Sequence, residues 1–289
     1  MRQLCILPLL LVFLSPSPVL AGSDRQQGLL WEIAAPGQPP AYLFGTIHAG
    51  EAAVLALPEP VQQAFDAAHS VVLEVLLDLD AMRDSSQLML LGDDRLLSDI
   101  TGQALFEQTA RAIRTRGIPE VVLARMKPWA AAVTLSMPAP EAGGVLDMQL
   151  YQQALQAGKP VFGLESIREQ LAIFDDMPEQ EQLVLLRDVV ENFAEIDAMQ
   201  RALIDAWLQR DLGTLMDINM AAMQTGDRQQ AAEFQDKLIV RRNRLMAERL
   251  QPYLREGGVF VAVGALHLPG EAGLLNLLQQ RGYTVRVIY

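Results

Sequence analysis

The chain has 289 residues, 51% of them hydrophobic, and its 23 Lys and Arg against 35 Asp and Glu give a formal net charge of −12. This acidic balance argues against nucleic acid and anionic membrane surfaces as partners, because both repel a negatively charged protein. The hydrophobic fraction is sufficient for one sizeable core, in a single large domain or in two closely packed ones.

The first 21 residues have the features of a secretory signal peptide. Arg2 supplies a positive start, and the apolar run of residues 5–14 is too short to span a bilayer. Small residues near Ala21 predict cleavage after it, with an uncleaved anchor as the weaker alternative. We therefore expect a periplasmic or secreted protein with no membrane span after cleavage. The only cysteine, Cys5, lies in this segment, so no disulfide is expected.

The mature chain opens with a predicted β-hairpin. Its strands are residues 29–33 and 41–47, joined by a turn rich in Pro and Gly. Apolar residues at helical spacing follow from Pro60. The almost wholly apolar residues 70–75 then indicate a strand buried on both faces, as is typical of parallel sheets.

Mainly helical patterns fill the next eighty residues. One helix is marked by apolar residues from Leu105 to Ile113 and ends at Gly117, and a second covers residues 122–133 with a kink expected at Pro128. A third helix starts near residue 145 and ends at Gly158. Residues 160–165 predict another strand, and the capping-box spacing that follows places Glu165 where this strand gives way to a helix.

The last part of the chain is a long helical stretch over residues 178–250 and then a strand over residues 259–263. A helix over residues 271–280 and a strand over residues 283–288 end the chain. The predicted fold class is α/β, with a central, mostly parallel sheet. We expect one domain over residues 22–289, with helical insertions at about 80–157 and 175–250.

Two of the three histidines occupy the same local setting, an apolar strand followed by Gly-x-x-His. These are His48 and His267. Ligands of open α/β sheets bind beyond the carboxyl ends of the strands, so both imidazoles should lie at one rim of the sheet. Glu74 and Glu165 lie at or near two further strand ends. Four potential ligands thus come from four strands, and imidazole with carboxylate suits a metal that activates water.

Each of these residues also has a purely structural interpretation. His48 and His267 could cap helices or bind a buried carbonyl, and Glu74 could pair with an arginine. Glu165 could simply favour a helix N-terminus. The charged cluster that contains Arg242 is, on its own, typical of a solvated helix face.

At these positions the chain resembles the TraB/GumN family, whose relatives include PrgY and the Tiki metalloproteases. The matching segments are residues 42–48, 71–74 and 163–166, Arg242, Asn243 and Met246, and residues 264–270 with Gly273. They occur in the expected order over nearly all of the mature chain. Ser166 is a small departure, because Thr is commoner there in the family. A second departure is that we expect no C-terminal membrane segment of the kind that some members carry.

The resemblance implies a fold related to the Tiki, erythromycin-esterase and ChaN-like proteins. It also implies a metal-dependent protease that uses a divalent ion, Mn, Co or Zn, on a peptide or protein substrate. His48, Glu74 and His267 become the leading ligands. Arg242 and Asn243 join Glu74 and Glu165 as catalytic candidates, as a cation and an amide that could stabilise an oxyanion or orient substrate. Which glutamate is ligand and which is base stays open.

Two other functions are compatible with the same residues. The first is a non-catalytic protein that holds haem, iron or a peptide, as ChaN-like relatives suggest. The second is a degenerate scaffold that acts through protein contacts. The leading expectation is an exported hydrolase, specifically a peptidase, with a two-His, Glu site.

Overall fold

The computed structural model describes residues 27–76, 78–139, 144–223 and 228–289. The predicted signal peptide therefore lies outside the described residues. At the centre is one six-stranded sheet in the spatial order β4-β3-β5-β2-β1-β6. The strands are β1 (Leu30–Ala34), β2 (Ala41–Thr46), β3 (Ser70–Val75), β4 (Val161–Glu165), β5 (Val259–Gly264) and β6 (Thr284–Val287). Helices surround this sheet, which confirms the predicted α/β class.

The predicted N-terminal hairpin is present. β1 and β2 pair antiparallel, with Leu30 opposite Phe44. β6 pairs antiparallel with the other side of β1, with Trp31 opposite Val287. Both ends of the described chain therefore meet at the side of the sheet that is farthest from β4.

The other part of the sheet is parallel. β2, β5, β3 and β4 all run in the same direction. β3 and β5 are inner strands, buried except at Glu74 and Gly264, which explains their nearly continuous apolar sequences. Phe260 on β5 packs against Phe44 and Phe65 in the core. Because the strands are parallel, the segments that follow all four begin at one rim of the sheet.

The helices occupy the connections between the strands. Between β2 and β3 are α1 (Ala52–Leu55) and α2 (Glu59–Ala67). Between β3 and β4 are α3 (Leu79–Leu88), α4 (Leu97–Thr101), α5 (Gln103–Ile113), α6 (Glu120–Leu123), α7 (Pro128–Ser136) and α8 (Leu146–Gln156). Between β4 and β5 are α9 (Ile167–Asp175), α10 (Glu179–Glu191), α11 (Phe193–Leu208), α12 (Leu212–Met223), α13 (Arg228–Gln235), α14 (Arg241–Arg249) and α15 (Gln251–Glu256). Between β5 and β6 is α16 (Leu274–Gln280).

A second hydrophobic cluster lies among these helices, apart from the core on the sheet. It is centred on Trp129 of α7, which is fully buried and stacks on Phe174 of α9. The indole Nε1–H donates to Asp175, so its polar edge is satisfied. Part of the helical insertions, chiefly α4 to α7 and α10, is thus packed around an apolar centre of its own, whereas α8, α12 and α14 pack in the core on the sheet. None of the described helices is long and apolar enough to cross a membrane.

The prediction for residues 122–133 was wrong in one respect. Instead of one helix kinked at Pro128, the chain forms two helices, α6 and α7, and Pro128 is the first residue of the second. Proline is favoured at this position because its missing N–H would have no partner there in any case. Met126 between the two helices forms a β-bridge with Leu90, which requires an extended backbone. α16 likewise begins at Leu274 rather than at residue 271.

Candidate active site

An open cleft of about 530 Å³ lies at the carboxyl rim of the parallel strands. His48, Glu74 and His267 all line it. The two Gly-x-x-His segments therefore face one space, although 219 positions separate the histidines (267 − 48). Much of the remaining lining is apolar and includes Leu203, Trp207, Leu215, Ile239 and Leu266.

Asn243 fixes the orientation and the tautomer of His267. The amide Nδ2 of Asn243 donates to the carbonyl of Ala272 at 2.8 Å, so its Oδ1 faces the imidazole. Oδ1 lies 2.6 Å from His267 Nδ1 and can only accept, so Nδ1 carries the proton. Burial lowers the pKa of His267, opposed by the charge of Glu74, and the ring is therefore neutral near pH 7. The unprotonated nitrogen of this buried ring is therefore Nε2.

Glu74 lies beside this nitrogen in ionised form. Its Oε2 is 3.9 Å from His267 Nε2 and accepts the Gly264 N–H at 2.7 Å. Burial would raise the pKa of Glu74, but the charges of His267 and Arg242 and the Gly264 N–H outweigh it and lower the pKa to about 2. Because His267 is neutral near pH 7, Arg242 and the Gly264 N–H are the lasting partners of this carboxylate.

Arg242 joins the two glutamates of the rim. Its Nη2 donates to Glu74 Oε1 at 2.5 Å and to Glu165 Oε2 at 2.6 Å, and its Nε contacts both oxygens of Glu165 at 3.1 Å. Gln170 bridges the same carboxylates from α9, at 2.9 and 3.1 Å. The side chain of Glu165 is only 2% exposed, so its carboxylate is fully engaged inside this network.

His48 is more accessible than His267. Half of its side chain is exposed, and its Nδ1 lies 3.3 Å from Asp147 Oδ2. The other oxygen of Asp147 accepts the hydroxyl of Thr46 at 2.8 Å. Burial lowers the pKa of His48, but the bond to Asp147 and its charge raise it by more, so the net direction is upward. In the neutral ring of His48, the hydrogen bond to Asp147 places the proton on Nδ1 and leaves Nε2 unprotonated.

The glycines of the two motifs allow a close approach of the backbone. At Gly264, a Cβ would lie 3.3 Å from Glu74 Oε2, the atom that accepts the Gly264 N–H. At Gly45, a Cβ would lie 2.7 Å from a methyl of Leu268 and 3.1 Å from Ala265. A larger residue at Gly45 would push β2 away from the segment after β5, and one at Gly264 would press on the side chain of Glu74.

The donor set suits a divalent metal in its chemistry, and two of its members are already neighbours. Two imidazoles whose Nδ1 atoms are held by oxygen acceptors, together with a carboxylate, are common zinc and manganese ligands. The 3.9 Å between His267 Nε2 and Glu74 Oε2 is within the roughly 3 to 4 Å expected of two atoms bound to one ion. Across the described residues, however, no group of three or more His, Cys, Asp or Glu side chains is arranged to hold a metal.

Asp147 and Gln170 were missed by sequence reasoning. Asp147 lies in the first turn of α8, and Gln170 lies near the start of α9. Acidic and other polar residues are common near helix N-termini because they stabilise the helix itself, so neither residue stands out in the sequence. Their partners are 99 and 96 positions away, at His48 and Glu74. No local pattern could have identified them.

The sheet and its rim define an α/β protein with a histidine and carboxylate centre beyond the ends of its parallel strands. The model of the TraB/PrgY/gumN family matches residues 29–287. The chain belongs to this family.

Relatives of the chain include proteins of different description. Those called uncharacterized protein YbaP, from Shigella flexneri and Escherichia coli, are 24% identical over 257 residues, which is 86% of this chain and 91% of theirs. The metalloprotease TIKI2 of Danio rerio is 24% identical over 310 residues, 89% of this chain and 60% of that protein. No solved structure matches the chain significantly.

Proposed function

We propose that the protein is an exported metal-dependent hydrolase, a peptidase, with His48, His267 and Glu74 as the ligands of its metal. The observation that carries this proposal is that one cleft holds the unprotonated Nε2 atoms of both histidines and the ionised carboxylate of Glu74. The similarity to a protein named a metalloprotease supports it. A divalent ion bound there would act as a Lewis acid and lower the pKa of a water molecule.

The other polar residues of the cleft receive positioning roles. Asn243 holds His267 in the Nδ1–H tautomer, and Asp147 does the same for His48. Such partners commonly strengthen metal binding by 10- to 100-fold, roughly. Arg242 keeps Glu74 in place and ionised, and Glu165 in turn holds the guanidinium of Arg242. Since the oxygens of Glu165 are taken by Arg242 and Gln170, we assign this residue to positioning rather than to proton transfer.

The apolar side of the cleft would receive the substrate. The partly exposed Leu203, Ile239 and Leu266 offer surface for an uncharged side chain, and the buried Trp207 and Leu215 support them from below. The indole of Trp207 is fixed because its Nε1–H donates to the carbonyl of Gly45 at 2.9 Å. A peptide bound there would lie with its backbone next to the histidines.

The test combines metal analysis with cleavage. The purified chain is stripped of metal, reloaded with Mn, Co or Zn, and incubated with a broad peptide library that is read by mass spectrometry. His48→Gln and His267→Gln should lose bound metal and cleavage together. His69→Gln is the matched control, because His69 bonds to the Gly257 carbonyl and does not line the cleft. Equal metal content in all three variants, or cleavage that persists without His267, would contradict the proposal.

A second candidate is a protein that holds its ligand without turnover, such as haem, iron or a peptide. The observation that favours it is the engagement of both glutamates: with a pKa of about 2, Glu74 is a weak base near pH 7. This function predicts tight retention of ligand with no product. Binding should then be lost with His48→Gln or His267→Gln while no peptide in the library is cut by the wild type.

A further inference from the structure

β4 is an outer strand of the sheet, and its outer edge is open. The carbonyl of Pro160 accepts the N–H of Val71 on β3. Residues 160, 162 and 164 therefore direct their backbone hydrogen-bonding groups toward β3, the inner neighbour of β4. Because successive residues of a strand alternate, Val161, Gly163 and Glu165 direct theirs outward. In the described part of the chain, no loop or side chain bonds to the backbone of Val161 or Gly163 on that side.

A groove of about 720 Å³ lies at the carboxyl end of β4, lined there by Gly163, Leu164 and Glu165 and by Leu76, which follows β3. Its lining comes from the end of β4, from Asp80 and Asp84 on α3, and from Pro252 and Tyr253 on α15. Next to it, Phe162 is 40% exposed and packs on the ring of Tyr253 with centroids 5.2 Å apart. An open strand edge beside a helix is the arrangement in which proteins bind an extended peptide as an added strand.

The charge of the groove favours a basic segment. Apart from Glu165, which Arg242 holds, the lining carries four carboxylates and two guanidiniums, a local balance of −2. Asp84 pairs with Arg168 and Glu169 with Arg249 inside the groove, and Asp80 pairs with Arg83 of α3, which does not line it. The carboxylates are Asp78, Asp80, Asp84 and Glu169, and the guanidiniums are Arg168 and Arg249. The formal charge of the whole chain, −12, acts in the same direction.

The groove also adjoins the catalytic cleft. Ile167, the first residue of α9, lines both the groove and the cleft that contains His48 and His267. A segment that pairs with β4 could therefore continue over Ile167 toward the histidines.

From these observations we propose that the β4 edge binds an extended, basic segment of the substrate polypeptide as an additional strand. The identity of this segment as substrate rests on the proposed peptidase function. Backbone hydrogen bonds to Val161 and Gly163 would supply sequence-independent affinity. Asp80 and Asp84, which pair with the exposed Arg83 and Arg168 in the unbound chain, would exchange these partners for Lys or Arg on alternate residues of the segment.

The first test varies the peptide and leaves the protein intact. A fluorescent decapeptide of alternating Thr and Lys is titrated into the full chain carrying His267→Gln, so that it is not cut. We expect its binding to weaken at least about tenfold when alternate peptide nitrogens are methylated, because several backbone hydrogen bonds are lost together. The Thr and Glu analogue should bind more weakly than the Thr and Lys peptide, and hydrogen exchange should show protection at Val161 and Gly163.

The second test varies the strand edge. Val161→Pro removes one outward N–H without removing a bond to β3, and Val161→Ala is its matched control, since it keeps the N–H. Binding should be about three- to tenfold weaker in the proline variant than in the alanine variant. Binding that is indifferent to peptide N-methylation, or self-association of the chain through β4 with no peptide bound, would overturn the inference.

The outcomes separate the two proposals. Peptide binding at β4 without cleavage under any metal would leave the groove assignment standing and remove the peptidase. Cleavage of peptides that give no protection of β4 would do the reverse.

Discussion

The two histidines of the cleft owe their orientation to residues that come from other parts of the chain. Asn243 on α14 holds the buried ring of His267, and Asp147 on α8 holds the half-exposed ring of His48. One partner is a neutral amide and the other a carboxylate. The net pKa shifts of the two rings differ in sign: burial lowers the pKa of His267, whereas the bond to Asp147 and its charge raise that of His48 above the opposing effect of burial.

This difference predicts a pH-dependent effect of Asp147→Asn in the metal-free protein. Because the pKa of His48 is higher in the folded protein than in the unfolded chain, protonation of His48 stabilises the fold. This contribution is fully present below the unfolded pKa and is lost as pH rises through the folded pKa. The stability difference between wild type and variant should therefore be larger at about pH 5 than at about pH 8. Since half of His48 is exposed, solvent screening limits the pH-dependent part to less than about 1 kcal/mol.

Urea unfolding at the two pH values measures this difference, and NMR titration of the His48 ring reports its pKa directly. The asparagine can still accept the hydroxyl of Thr46, so the local packing is preserved. A stability difference that is the same at both pH values would refute the assignment.

Individual elements were the most predictable part of the molecule, because their signals are local. The apolar run of β3, the capping box at Ser166 and the hairpin of β1 and β2 each follow from neighbouring residues. The order of the strands and the engagement of Glu165 by Arg242 were not predictable, because each depends on residues far apart in the sequence. The positions of His48, Glu74, Glu165 and His267 at one rim follow from strand ends, and Arg242 and Asn243 on α14 were expected only from the family resemblance. Asp147 and Gln170, also on helices, were missed.

The start of α9 allows a test at the scale of one element. The hydroxyl of Ser166 accepts the N–H of Glu169 at 3.2 Å, and the carboxylate of Glu169 returns to the Ser166 N–H at 2.8 Å. Ser166→Ala should lower the free energy of unfolding by about 1 kcal/mol, the usual contribution of an N-cap side chain. Ser166→Thr keeps the hydroxyl and should stay close to wild type.

Denaturant midpoints at equal m-values compare the three proteins. An alanine variant as stable as the threonine variant would show that the carboxylate of Glu169, which also pairs with Arg249 at 2.7 Å, holds the helix start without the serine.

At the scale of the whole molecule, Arg242 connects elements that are distant in sequence. It lies on α14 and bonds to Glu74 on β3, 168 positions away, and to Glu165 on β4, 77 positions away. It therefore ties a helix of the second insertion to the carboxyl rim of the sheet. The same contacts keep the site glutamate ionised, so the fold and the proposed chemistry depend on one side chain.

Arg242→Met should consequently be far more damaging than a surface arginine substitution. It leaves the buried carboxylate of Glu165 and the partly buried carboxylate of Glu74 without this cation, which costs about 3–5 kcal/mol of unfolding free energy. Arg241→Met is the matched control on the same helix: Arg241 is 68% exposed and pairs with Asp236, so its loss should cost less than about 1 kcal/mol. The cost of Arg242→Met should also shrink as pH falls. The pKa of Glu74 is about 2 in the folded protein and 4.5 in its ordinary state, so the stability that its ionised form contributes is complete above pH 4.5 and is lost as pH falls toward 2. Unfolding curves of both variants at neutral and acidic pH test this, and equal losses for the two arginines would show that the rim does not depend on the Arg242 network.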